Sequence, residues 1–402
     1  MRGSAKVQMS QSASAPHVVI VGGGGTGGAV AHDLTLRGLR VTLVERGELT
    51  SGTTGRHHGL LHSGARYAVK DRESAVECIE ENRILRTIAP GSFEENDGLF
   101  VAITEADEAY EPLFFESCLA SGIPARRVSR AEALRLEPNL NPALRCAVQV
   151  PDGTIDAMRL PLRFFATAKR NGATIKPFTE AVAMTIAAGV SGRAVRGVSV
   201  VDRSSGARYE IGADLVVNAG GPWAEKIAAL AGVDVPISPS PGVLVAVRGR
   251  YANMVINRLH ASGDGDIVVP QRELSVIGTS SWLAADPDHL TVPADHVAMM
   301  ISEGSAMIPA IAAAAVRATW SAARPLIGER GATSGRELSR TFKCFDHAAD
   351  GVEGFVTISG GKATTLRAMA EAAANVVCGK LGIESPCRTR EYRLAPHTAY
   401  YA

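Results

Sequence analysis

Residues 17–47 read HVVIVGGGGTGGAVAHDLTLRGLRVTLVERG. Val18–Val21 is an unbroken apolar run, as a strand covered on both faces requires, and Val41–Val44, with its β-branched residues, reads as a parallel neighbour. Between them the pattern predicts a helix from about Gly27 to Arg37, stopped by Gly38. The stretch is a βαβ unit, and it predicts an α/β fold built on a Rossmann-like parallel sheet.

Its turn, Gly22 to Gly27, satisfies G-x-G-x-x-G. Gly22 makes the tight turn, Gly24 lets backbone approach a pyrophosphate, and Gly27 lets helix pack on strand. Gly25 and Thr26 open the helix, whose N-terminal N–H groups and partial positive charge suit that phosphate. Glu45 ends the second strand, where a carboxylate can accept both ribose hydroxyls of an adenosine and repel a 2′-phosphate. The glycine pattern alone is weak; a strand before it, a helix after it and Glu45 together point to a dinucleotide. Flavin is favoured over nicotinamide because a second glycine turn, Gly360-Gly361-Lys362, precedes the final helix. Such a turn can place N–H groups near the N1–C2=O edge of an isoalloxazine, where a reduced flavin carries negative charge. The expected cofactor is FAD.

Further along, residues 172–224 read as short strands with Gly and Ser turns, ending in DLVVNAGG, and residues 351–382 read as strand, glycine turn and amphipathic helix. DGLFVAI, LRCAVQVP, GVLVAVRGR, DGDIVVPQ and LSVIGTSS are strand candidates at hairpin-like spacing, which predicts an antiparallel sheet in a separate domain. Two interleaved domains follow. One holds FAD with residues 17–92, 153–235 and 330–388; the other, for substrate, comprises 93–152 and 236–329. Residues 1–16, small and polar, are expected to be disordered, and 389–402 form a C-terminal tail.

Composition limits the function. Lys and Arg total 42 against 41 acids, a net charge of +1, which provides no field to gather nucleic acid. No apolar run reaches the ~18 to 20 residues of a membrane span; the richest, 306–318, is interrupted by Pro309 and Arg317. Six scattered cysteines without a C-x-x-C pair suit reduced thiols in a cytoplasmic protein and argue against a metal site.

Seven blocks then carry a resemblance: GTTGRHHGLLHSGARYAV (52–69), LRCAVQVPDGTIDAMRL (144–160), VVNAGGPWA (216–224), MVINRLHASGDGDIVVP (254–270), VIGTSS (276–281), ARPL (323–326) and ISGGKATTLRAMAE (358–371). In this order, over residues 17 to 388, the chain resembles the FAD-dependent glycerol-3-phosphate dehydrogenases, and most of all the catalytic A subunits of the anaerobic bacterial enzymes. The resemblance implies a D-amino-acid-oxidase-like fold. It also implies a function: oxidation of sn-glycerol 3-phosphate to dihydroxyacetone phosphate, with hydride passed to flavin N5 and electrons to a quinone or partner subunit. Docking at the inner membrane would then be peripheral, through partners. Anaerobic A subunits continue into a cysteine-rich C-terminal domain, and this sequence ends at Ala402, so electron delivery to those partners is open. Related aerobic enzymes carry a histidine in the strand that reads SPGVLVAV here, where Gly242 and Val243 stand.

Alcohol oxidation by flavin needs one base near neutral pKa and a means of fixing the substrate. His62, matching the histidine of the HSG motif, is the expected base; the alternative is a histidine that only hydrogen-bonds flavin or backbone. His58 is expected on the flavin side, and His57 in solvent or in a structural role. Arg66 and Arg324 match arginines that grip a substrate phosphate, for which bidentate guanidinium contacts are efficient. Tyr67 would donate to substrate or pack, and Lys362 would stabilise reduced-flavin charge or a phosphate oxygen. Arg258 would join the pocket or a salt bridge. The cofactor wall is completed by Arg46, Thr53, Thr54, Arg56, Gly59 and Leu60, by Val182, Ala219 and Gly220, and by Ala363 and Thr364. Two other readings stay open: a flavin dehydrogenase or oxidase of another polyol phosphate or a 2-hydroxy acid, and a flavin-binding subunit with little activity alone.

Overall fold

The structure, a computed structural model, describes residues 15–189, 192–328 and 341–402. Its first layer is a six-stranded sheet in the order Phe342–Asp346, Phe355–Gly360, Leu215–Asn218, His17–Val21, Arg40–Val44, Thr174–Lys176. His17–Val21 lies parallel between two neighbours, with Val19 opposite Val216 on one side and Thr42 on the other. The edge strand Phe342–Asp346 runs antiparallel. Val18 to Val21 are buried, which is why that run has no polar alternation. Fully burying each such side chain contributes about 1.5–3 kcal/mol.

The first helix runs Gly25–Leu36, two residues earlier than the periodicity predicts, because the glycine turn closes at once into helical hydrogen bonding, with Gly28 N donating to Gly24 O at 3.0 Å. Gly38, at φ +87°, ends it as expected. A Cβ on Gly27 would lie 2.0 Å from Gly22 O, so strand and helix meet there without room for any side chain. Helices Arg159–Arg170 and Leu366–Leu381 pack beside this helix into one apolar core with the sheet.

The second layer is an eight-stranded sheet ordered Val316–Ile327, Ile237–Arg248, Leu274–Gly278, Ile267–Gln271, Val255–Arg258, Gly98–Ala102, Cys146–Val150, Arg126–Ser129. It is antiparallel as expected, apart from one parallel pair, Val255–Arg258 with Gly98–Ala102. Those two strands come from distant segments with no hairpin between them, so no tight turn dictates their direction. This sheet has its own core around Val245, Ile256, Val268 and Met300. The chain passes from the first sheet (17–44) to the second (98–150), back (174–218), out again (237–327) and back (342–360), so the two layers are interleaved.

Two smaller features position the site. Leu60–Leu61 pairs antiparallel with Gly153–Ile155, which pins the histidine strip to the fold. Helix Arg72–Ile88, capped by Asp71 accepting from Ser74 N at 3.0 Å, runs behind that strip. The expected disorder of residues 1–16 falls almost wholly on residues 1–14, outside the described residues, and so does the start of the segment at 330. Residues 389–402 are not a loose tail where they are described: Leu394 and Ala395 are buried, and Arg163 donates to Leu394 O at 3.0 Å. Among the described residues no helix is long and apolar enough to cross a membrane.

Candidate active site

A cavity of about 980 Å³ opens between the two layers, at the C-terminal ends of the parallel strands. One wall is backbone. Gly22 to Thr26, Ala219 to Gly221 and Gly360 to Ala363 all line it. Gly22 (φ +119°) and Gly360 (φ +90°) sit in backbone that an L side chain rarely adopts. Glu45 lines the same wall, its carboxylate oriented by Gly23 N at 2.7 Å and Gly47 N at 2.8 Å. Thr54 Oγ1 accepts from Gly25 N at 3.0 Å, so its hydroxyl lies on the first turn of the helix. Thr53 donates to Ala323 O at 2.5 Å, tying this wall to the eight-stranded sheet. Arg46 lies over the Trp223 ring and pairs with Asp288 at 2.6 Å, and Arg56 lines the cavity while its carbonyl accepts from Trp320. Asn218 lies behind, its Oδ1 accepting from Gly220 N at 3.1 Å. Val182 stands at an irregularity of its strand; its neighbours Glu180 and Ala181 line the cavity and it does not.

The strip 54–67 crosses the cavity floor. Gly59, at φ +83°, passes so close to Ile155 O that a Cβ would lie 2.7 Å away. Leu60 lines the cavity. His57 Nδ1 accepts from Gly59 N at 2.8 Å and His58 Nδ1 from Leu60 N at 3.1 Å, so each neutral ring carries its proton on Nε2. His57 therefore has a structural hydrogen bond rather than a solvated ring. His62 is anchored through its backbone: its N donates to Thr364 Oγ1 at 3.0 Å and its O accepts from Asn82 at 3.1 Å. The next residue, Ser63, donates its N–H to Asp152 at 2.7 Å. The His62 ring lies 6.2 Å from His58 and 5.4 Å from Tyr67, centroid to centroid. Burial holds all three imidazoles neutral, His57 near 4, His58 near 3 and His62 well below its ordinary value, with His58, Arg66 and Lys362 adding to the fall at His62.

Three cations complete the far wall. Arg66 pairs with buried Asp266 at 2.6 Å and donates to Gly263 O at 3.0 Å. Arg324 donates to Ser280 O at 2.9 Å, to Ser240 O at 3.3 Å and to Thr279. Gly242 makes that seat possible, since a Cβ there would lie 2.5 Å from the Arg324 guanidinium and from Ser280 O. Lys362 lies 3.2 Å from Ser74 Oγ and 4.9 Å from the Tyr67 ring centre. Arg258 does not line the cavity; it pairs with Asp107 at 3.1 Å and Glu303 at 3.5 Å, the salt-bridge alternative. Sequence reasoning passed over Trp223, Thr279 and Ser281, which also line the cavity, although each falls inside a block quoted for the resemblance. Asp152 and Asp266 were passed over too, although both fall inside quoted blocks, whereas Asn82 lies outside them all; their partners lie 20 to 200 residues away.

A parallel sheet with a glycine cradle, opening into a cavity shared with an antiparallel sheet, defines a dinucleotide-dependent oxidoreductase, and the cradle glycines, Glu45 and the second turn fit FAD. The chain belongs to the family of FAD dependent oxidoreductases (DAO), whose model matches residues 17–375, and its cofactor is FAD. It is 42% identical over 393 residues to the A subunit of the anaerobic glycerol-3-phosphate dehydrogenase of Escherichia coli K12, covering 97% of this chain and 71% of that one. It is likewise 42% identical over 389 residues to the corresponding A1 polypeptide of Haloferax volcanii, covering 94% and 66%. The solved glycerol-3-phosphate dehydrogenase of Bacillus halodurans shares the fold, with TM-score 0.71 at 22% identity over 96% of this chain and 68% of that one.

Proposed function

We propose that this chain oxidises sn-glycerol 3-phosphate to dihydroxyacetone phosphate. FAD, when bound, supplies the hydride acceptor for the substrate carbon. The observation that carries the reading is a neutral, half-buried His62 in a cavity that also holds Arg66, Arg324 and Lys362. Near-complete alignment at 42% identity with relatives bearing that activity supports it.

His62 accepts the hydroxyl proton, and Arg324 and Arg66 hold the phosphate. Burial and neighbouring cations make His62 a weak base in the free protein. A phosphate dianion offsets those cations and raises its basicity, so a phosphorylated alcohol prepares its own base. Tyr67 packs on His62 and limits its ring. His58, held by Leu60 N, presents Nε2–H as a donor on the flavin side. In this reading residues 17–92, 153–235 and 330–388 bind cofactor, 93–152 and 236–329 shape the substrate side, and electrons pass on to a partner protein or quinone. Anaerobic mixing of the holoprotein with glycerol 3-phosphate tests the reading: flavin bleaching is expected. Bleaching by a 2-hydroxy acid or unphosphorylated glycerol in its place would refute the substrate, and no bleaching by any alcohol would point to a flavin-binding component that is inactive alone.

A further inference from the structure

Lys362 is almost fully buried, and contacts from residues 67–77 hold it. Besides Ser74 Oγ and the Tyr67 ring, its Nζ lies 3.7 Å from Glu77 Oε2. Ser74 and Glu77 are three positions apart on helix Arg72–Ile88, so one helical face presents both to the ammonium. Glu77 Oε2 is itself buried and has no hydrogen-bond partner among the described residues. A carboxylate oxygen withdrawn from water without a donor is costly, and the Lys362 ammonium beside it offsets that cost. Burial raises the Glu77 carboxyl above its ordinary value; Lys362 opposes that rise, while Glu81 and Glu73 add to it. On its outer side Glu77 borders a surface groove with Arg72, Glu80 and Arg390. It therefore stands between that groove and the cavity, aimed inward at a residue that lines the cavity.

We infer that Glu77 is a positioning residue that fixes the Lys362 ammonium at the cavity edge and sets how much positive charge it presents to the reduced cofactor. The inference rests on the reading that Lys362 lies beside the isoalloxazine of FAD. A cation there favours the reduced, negatively charged ring, and a carboxylate behind the cation weakens that effect. Glu77→Gln keeps the shape and removes the charge, so it makes the flavin easier to reduce. It also tightens the addition of sulfite, which leaves the ring negative.

Holoenzyme of the wild type, Glu77→Gln and Lys362→Met is titrated with sulfite under anaerobic conditions, following loss of flavin absorbance, and the two-electron midpoint potential is read by dye equilibration. The sulfite dissociation constant falls about tenfold in Glu77→Gln, the scale of one screened charge at partly buried range, and rises in Lys362→Met, with potentials moving up and down in step. Unchanged sulfite affinity and potential in Glu77→Gln, with Lys362→Met still weakening sulfite, overturns the role of Glu77 and leaves Lys362 beside the flavin. If neither variant moves either quantity, the placement of Lys362 falls as well, while bleaching by glycerol 3-phosphate still judges the substrate separately. A purely structural Glu77 lowers the thermal midpoint of Glu77→Gln without moving its potential, which also overturns the inference.

Discussion

The two walls of the cavity are made of different material. On the cofactor side, recognition is backbone: Gly22–Thr26, Ala219–Gly221 and Gly360–Ala363 approach closely because they have little or no side chain. On the proposed substrate side it is charge at the tips of long side chains, Arg66, Arg324 and Lys362, around a histidine. Backbone recognition also draws on distant segments, but each of the three is a short glycine-bearing turn whose own sequence encodes its geometry. Charge recognition is assembled from segments up to 300 residues apart, and each cation needs its own support.

That contrast can be broken at four places. The largest effect is expected at Gly27→Ala, whose Cβ would lie 2.0 Å from Gly22 O. Cradle and helix must separate, and the purified protein should lose its flavin spectrum. If it retains a full complement of FAD, backbone approach is not what holds the cofactor. His62→Ala should keep the yellow holoprotein and slow flavin reduction by about 10²–10⁴-fold, read by anaerobic stopped flow. A near wild-type rate would remove His62 as the base.

The two arginines should then fail differently. Arg324→Ala removes a charge-assisted contact worth about 1.5–3 kcal/mol, so kcat/KM for the phosphorylated substrate should fall roughly 10- to 150-fold. Arg66→Ala leaves Asp266 buried without its cation, so it should cost about 3–5 kcal/mol of stability as well, measured by thermal or urea unfolding. Wild-type stability of Arg66→Ala would show that Asp266 does not need that cation.

The smallest effect concerns pH. His32 is fully buried between Phe164 and Tyr392, neither ring nitrogen has a partner among the described residues, and burial lowers its pKa to about 3. Like His57, His58 and His62, it is neutral when folded and has an ordinary value of 6.5 when unfolded. The unfolded chain therefore binds more protons between about pH 3 and 6.5, and stability falls as pH drops below 6.5, by about 1.4 kcal/mol per unit for each histidine. Asp152, raised by burial from 3.8 to about 6, opposes this between those values. Its single proton cannot offset four histidines. His32→Leu should flatten the loss between pH 6.5 and 5 by one histidine's share in a thermal-melt series; an unchanged slope would show that His32 does not contribute.

What was legible in the sequence divides along the same line. The βαβ unit, the glycine turns and the return to strand-turn-helix geometry near residue 355 could be read because apolar period and φ-permissive residues are local signals. The candidate residues His62, Arg66, Arg324 and Lys362 could be picked out because they lie inside motif blocks, and all four line one cavity. Their supports were not found. Asn82 and Glu77 lie outside every block, and Asp152 and Asp266, though inside blocks, are ordinary carboxylates until folding brings them to His62 and Arg66. Gly242 marks the boundary between the two cases. Its lack of a side chain was plain, but its purpose, leaving room for Arg324, depends on a strand paired across the sheet.

The fourfold passage of the chain between its two sheets has a mechanical consequence. Parts joined by one connection can swing on a hinge; parts stitched together by four crossings move only if every crossing bends at once. Substrate should therefore enter and leave by small shifts of surface loops around a stiff cleft. Cutting the chain at any one crossing would divide the six-stranded sheet between two fragments, so that sheet is not a module that could be exchanged alone.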